Sequence, residues 1–227
     1  MLRVLRLGSA ALLVAAVLAS GCSDSSGPGT NHPSLLLGPR PNAPAADSPA
    51  GVLRVVEWCW NHLDVERYRT VFTEDFRFVF GALDPAGNTW RDTPWTRENE
   101  IQALAGLAAS KPLEVAVTFD RNFRIGDDPR PGKAAPWHGF IRTSVTVHVV
   151  TADQNVFDVS GYASFFVVRG DSAMIPLELA EKGVRPDSTC WYVERWEDDT
   201  FGGDGLHTTP AMKKSWGSIK ALLVHGS

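Results

Sequence analysis

Apolar positions along this chain follow two periods, and the change between them falls near residue 113. Ser48 and Pro49 have the chemistry of an N-cap and a first helical position. Val52, Val56, Cys59, Trp60 and Leu63 then recur at spacings of three and four, with Leu53 alongside, which predicts an amphipathic helix. Asp64 is predicted to end it and to cap a short second helix carrying Tyr68, Val71 and Phe72. Phe76, Phe78 and Phe80 alternate as in a strand, and residues 84–88 (DPAGN) read as a turn. Thr96 is placed to cap a third helix, with Glu98 and Glu100 at the positive end of its dipole and Ile101, Leu104, Ala105 and Ala108 on one face. Lys111-Pro112 ends it. From residue 113 the period is two. Strands are predicted over 113–119, 140–150, 156–168 and 190–197, with a tight turn at 152–155 and long loops at 120–137 and 170–188. Residues 198–214 read as an acidic, Gly-rich loop. Residues 215–223 read as a short helix or an ordered tail pinned by Trp216, Ile219 and Leu223.

The first residues follow neither period. Arg3 and Arg6 precede a mostly apolar run from Leu7 to Leu18, and Ala19-Ser20-Gly21-Cys22 follows. These are the parts of a secretory signal, and the run is shorter than the roughly 20 residues a membrane-spanning helix needs. The cysteine directly after Ala-Ser-Gly resembles the lipobox of bacterial lipoproteins, although Ala19 stands where leucine is usual. The resemblance implies a signal peptide over 1–21, cleavage before Cys22 and lipid on Cys22. The partner is then a membrane and the location the cell envelope. Ser23 after the cysteine resembles proteins sorted to the outer membrane of two-membraned bacteria, facing the periplasm. Residues 22–48 are the lipidated cysteine and a Ser/Gly/Pro/Asn-rich tether. A single domain is expected over 49–225.

Charge removes some functions. Loss of residues 1–21 takes away Arg3 and Arg6, so the net charge moves from −4 to −6. There is no basic run, which argues against nucleic acid as a partner. Eight tryptophans imply a large aromatic core, an aromatic-lined cavity, or both. With Cys22 lipidated, Cys59 and Cys190 remain. An oxidising envelope allows a Cys59–Cys190 disulfide, and two buried thiols are the alternative. No spacing suits zinc, and no phosphate loop, G-x-S-x-G or H-E-x-x-H is present, so neither a metal nor a cofactor is expected.

Helix, helix, strand, helix and then long antiparallel strands is an order similar to the NTF2-like α+β cone, the superfamily of SnoaL-like cyclases, ketosteroid isomerase and scytalone dehydratase. Residues 60–78 (WNHLDVERYRTVFTEDFRF) resemble the family's opening, and residues 191–198 (WYVERWED) resemble its last strand. Residues 216–220 (WGSIK) resemble tails of envelope lipoproteins carrying this domain. The resemblance implies N-terminal helices packed on a strongly curved antiparallel sheet, with a cavity at the open end. One such fold hosts many functions.

Under that resemblance Trp60, Tyr68, Phe78 and Trp95 are candidates for the cavity wall, joined by Trp196 and by His138 near a strand start at the mouth. His148 alternates with Val145, Val147 and Val149, so it is expected outside. Asp158, Ser160, Tyr162 and Ser164 share a face suited to solvent or to a homodimer contact. Glu194 is a weaker candidate base, His62 beside Asp64 reads as helix capping, and the acids of 198–204 read as a solvated loop. No catalytic set stands out. The function expected is a tethered, non-catalytic domain that binds a small apolar ligand or has an accessory role. A cofactor-independent isomerase, cyclase or dehydratase, and a dimerising interaction module, are the alternatives.

Overall fold

A computed structural model describes residues 43–90, 92–202 and 214–225. The expected signal segment, Cys22 and most of the expected tether lie outside the described residues. No helix among the described residues is long and apolar enough to cross a membrane.

The helices form where capping chemistry meets an apolar stripe. Helix α1 (Pro49–His62) starts at Ser48, whose hydroxyl accepts from the Gly51 N–H at 3.0 Å. It ends at Leu63, which takes the left-handed conformation at φ 52°. Asp64 then caps α2 (Val65–Tyr68) by accepting from the Arg67 N–H at 3.1 Å. Strand β1 (Phe72–Val79) follows, then a short helix α3 (Pro85–Thr89) where a turn was expected. Strand β2 (Trp95–Thr96) leads into α4 (Arg97–Ala109), closed at its start by a Thr96–Asn99 capping box.

Strands β3 (Glu114–Phe119), β5 (His138–Val150), β6 (Val156–Arg169) and β7 (Trp191–Gly202) carry the sheet. The expected loop at 120–137 contains β4 (Ile125–Asp127), and the loop at 170–188 contains α5 (Leu177–Glu181). The sheet order is β2-β1-β7-β6-β5-β3, with β4 also paired to β5. All neighbours are antiparallel except β1 and β7. Gly161 in β6 sits at φ 152°, and a Cβ there would lie 2.6 Å from the Asp199 carbonyl oxygen, so only glycine lets β6 and β7 approach this closely. The last helix, α6 (Trp216–His225), packs against α4 and β7.

The α+β cone expected from the sequence is the architecture observed. Valines 145, 147 and 149 of β5 face inward, with Phe119 of β3, Phe165 of β6 and Trp196 of β7. The end of the last strand needs correction. Strand β7 runs through residues read as an acidic loop, because Asp198 and Thr200 continue the inward alternation of Trp196 and are buried. Glu100 stands in the first turn of α4 as expected, and it is fully buried.

Candidate functional site

Seven elements send side chains to one point inside the cone. Trp60 comes from α1, Tyr68 from α2, Phe78 from β1, Trp95 from β2 and Trp196 from β7, all buried. Glu100 enters from the first turn of α4, because it stands three residues after Arg97 and four before Leu104, on the buried stripe of that helix. Trp216, Ile219 and Lys220 enter from α6, again at spacings of three and four along one face.

The centre of this assembly is an ion pair with no exposure on either partner. The Lys220 Nζ lies 2.7 Å from Glu100 Oε1. Tyr68 donates its hydroxyl to the same oxygen at 2.6 Å and accepts from the Trp60 Nε1–H at 2.9 Å. The Trp95 Nε1–H donates to Glu100 Oε2 at 3.0 Å. Both carboxylate oxygens are therefore engaged, and the tyrosine hydroxyl is used as donor and acceptor. Around the ammonium stand aromatic rings: Nζ is 3.3 Å from the Trp196 ring centroid, 4.0 Å from Phe78, 4.9 Å from Trp216 and 5.9 Å from Trp60. These distances fall within the range of cation–π attraction.

Burial dominates the electrostatics. It lowers Lys220 to about 8, against the pull of Glu100 and, more weakly, Asp198. It also pushes the Tyr68 phenol well above its usual value, and the neighbouring Glu100 charge adds to that. Asp198 is raised by burial to about 6, although the Gly217 N–H, Thr200 and Lys220 all favour its ionised form.

Polar contacts fix the start of α6. The Trp216 N–H donates to Thr200 Oγ1 at 2.8 Å, and the Gly217 N–H donates to Asp198 Oδ2 at 2.8 Å. Asp84, which caps α3, also accepts from the Ser215 hydroxyl and, at 2.6 Å, from the Ser218 hydroxyl. Negative and oxygen-rich groups thus meet the N-terminal N–H groups of the helix, where its dipole favours them.

The expected wall residues Trp60, Tyr68, Phe78, Trp95 and Trp196 are brought together, and they close on Trp216 and Lys220. Ring centroids of Trp196 and Trp216 are 4.6 Å apart, and those of Trp60 and Trp216 are 5.2 Å apart. His138 is not with them: it stands at the start of β5 on the outer face, its Nδ1 3.2 Å from the Ala134 carbonyl. Counting back by twos from Val145 puts Gly139 inside and His138 outside. Cys59 lies in the main core, Cys190 in a separate cluster with Val168 and Tyr192, and the structure does not join them.

The outer sheet face holds the remaining candidates. His148 Nδ1 is 2.6 Å from Asp158 Oδ1, and its Nε2 is 3.8 Å from Glu114. Tyr162 is half exposed, with the Arg142 guanidinium 4.9 Å from its ring centroid. Glu194 also faces outward, accepting from Arg130 and Lys133 of the loop that crosses the sheet. Two surface clefts flank the start of α6. One, of about 400 Å³, is bounded by Phe80, Trp90, Pro94, Arg77 and Arg195, and the other, of about 470 Å³, by Leu83, Asp84, Thr200 and Ser218. Among the described residues no group of three His, Cys, Asp or Glu could hold a metal ion.

Sequence reasoning missed Glu100 and Lys220, and both carried a readable signal. Each sits on the apolar stripe of its own helix, where a charged residue needs a buried partner.

No protein-family model and no curated protein matches this chain. Solved structures do resemble it. A conserved protein from Planctomyces limnophilus is 12% identical, covering 67% of this chain and 92% of its own, at a TM-score of 0.47. An NTF2-like superfamily protein from Salmonella enterica is 9% identical, covering 70% and 92%, at 0.43. A hexachlorocyclohexane dehydrochlorinase from Novosphingobium barchaimii is 7% identical, covering 70% and 90%, at 0.44.

Proposed function

We propose that this chain is a lipid-anchored envelope protein whose NTF2-like domain is a non-catalytic binding domain for a small, largely apolar molecule. The anchor is Cys22 and the seat is the aromatic interior of the cone. One observation carries the reading of the domain: Trp216 and Lys220 of a single terminal helix fill the interior, while the wall comes from other elements. A wall of Trp60, Phe78, Trp95 and Trp196 has the apolar character of a ligand pocket. Trp60, Tyr68, Trp95 and Glu100 spend their polar groups on one another, and Lys220 covers the carboxylate, so neither Tyr68 nor Glu100 is directed at a position a reacting atom could take.

An acid–base enzyme is the second reading. It is favoured by the contact between Tyr68 and Glu100, a hydroxyl and a carboxylate held together in the interior. For catalysis the substrate would have to displace Lys220 before either group could act.

The test is native mass spectrometry of the full chain, extracted in mild detergent from the envelope fraction of its source. The expected result is a mature chain beginning at Cys22, carrying covalent lipid, with a non-covalent adduct of a few hundred daltons on part of the population. A chain without lipid would remove the tether from the reading. A lipidated chain that never carries an adduct, across growth conditions, would remove the binding role. An adduct converted to a new mass on incubation would move the assignment to the enzyme.

A further inference from the structure

We infer that the interior of the cone is a recognition site for an organic ammonium group, occupied in cis by Lys220 and able to accept an external primary amine when α6 lifts. This rests on the binding role proposed above and names the ligand's chemistry.

The receptor and its occupant come from different parts of the chain. Glu100 is held by Tyr68 and Trp95, neither of which belongs to α6. Trp60, Phe78 and Trp196 likewise belong to α1, β1 and β7. The carboxylate and three of the four rings therefore remain in place without Lys220. What they form is an aromatic cage closed by a carboxylate, the arrangement that selects cations over neutral molecules of equal size. Asp198 adds a second buried acid that attracts the ammonium. These two acids offset part of the cost of burying the ammonium, and a neutral ligand would leave Glu100 without a charged partner.

The choice of lysine is itself informative. A buried ion pair contributes little net stability compared with apolar residues that fill the same volume. Leucine or methionine at positions 100 and 220 would complete this core without desolvating two charges. The cage therefore has a chemistry that packing alone does not require. Trp216 sits one helical turn before Lys220, so α6 presents an indole and an ammonium together. An external ligand that replaces both would join an aromatic body to a primary amine.

The ligand must compete with the tethered occupant, so wild-type affinity is reduced by the fraction of molecules in which α6 is lifted. Two measurements on the full chain test the inference. The probes are tryptamine, its neutral analogue tryptophol and its anionic analogue indole-3-propionate. In hydrogen exchange of the wild-type protein, tryptamine is expected to speed exchange across residues 216–225 while leaving α4 and β7 protected. In calorimetry, K220A is expected to bind tryptamine on the order of tenfold to 100-fold tighter than tryptophol, and indole-3-propionate least. The wild-type exchange experiment stands if K220A does not fold. If tryptophol or indole-3-propionate lifts α6 as well as tryptamine does, the ammonium preference is overturned and the binding role survives. If none of the three probes binds or changes exchange in α6, the ammonium site is overturned, and the binding role stands or falls with the adduct in the native mass spectrum.

Discussion

Two clusters in this molecule pair a carboxylate with basic side chains, and water separates their behaviour. Inside the cone Glu100 meets Lys220 with no exposure on either side. On the outer face Glu194 meets Arg130 and Lys133, each a quarter exposed, and Arg130 also binds Asp128 through two nitrogens at 3.0 and 2.6 Å. In the outer cluster burial alone would raise Glu194. Hydrogen bonds from Lys133 and Arg130 outweigh it and hold the carboxyl below its usual range. In the inner cluster the order reverses: burial outweighs the pull of Glu100 and lowers Lys220 to about 8. Desolvation grows with depth faster than a single partner can offset it. The outer cluster straps the loop over residues 120–137 to the sheet. The inner one sets the chemistry of the interior.

The comparison breaks first at Glu100. E100A leaves a buried ammonium without its carboxylate and two donors, Tyr68 and Trp95, without an acceptor. It is expected to lose about 3–5 kcal/mol in urea unfolding. The E100M/K220M pair should lose much less than E100A alone, because no charge remains buried. If the double variant were as unstable as E100A, the ion pair would not be the reason.

The next effect depends on pH. Asp198 titrates at about 6 in the folded chain, above its usual 3.8, so the folded state holds this proton longer than the unfolded one. Between about pH 4 and 6 the folded chain binds more protons, and this group's contribution to stability falls as pH rises, staying low above 6. D198N keeps an acceptor for the Gly217 N–H and carries no charge. It should gain roughly 2 kcal/mol over wild type near pH 7 and almost nothing near pH 4, partly offset by the lost attraction to Lys220. Thermal melts of both proteins across that range check it. Equal slopes would mean that Asp198 does not titrate as described.

The smallest effect belongs to the outer cluster. E194A is expected to lose about 1 kcal/mol, with a marked dependence on salt, because Arg130 keeps Asp128 and water reaches both bases. A loss as large as that of E100A would erase the distinction between the two clusters.

Much of the frame was legible in the sequence because periodicity reports burial. The stripe from Val52 to Leu63, the alternation of Val145, Val147 and Val149, and the cap at Ser48 all mark elements that formed as their chemistry indicates. The site was legible only in its apolar half. Trp60, Tyr68, Phe78, Trp95 and Trp196 stood out as large aromatics. Glu100 was read through the helix dipole, which favours an acid in the first turn whether it points out or in. Lys220 sat in a segment read for its apolar pins, Trp216 and Ile219. Strand β7 was ended too early because Asp198-Asp199 has loop composition, although Asp198 and Thr200 keep the period of Trp196. In each case a polar residue on an apolar face was the signal, and its partner lay far away in sequence, at a distance no local pattern reports.

The most direct test of the caged ammonium is an NMR titration of the wild-type protein with isotope-labelled lysine, followed at the ε-methylene groups. One lysine, assigned by its loss in K220M, should be shifted strongly upfield by the Trp196 and Trp216 rings and titrate near 8. If every lysine shows an unshifted signal and titrates in the usual range, the Lys220 ammonium is in water and the account of the interior is wrong.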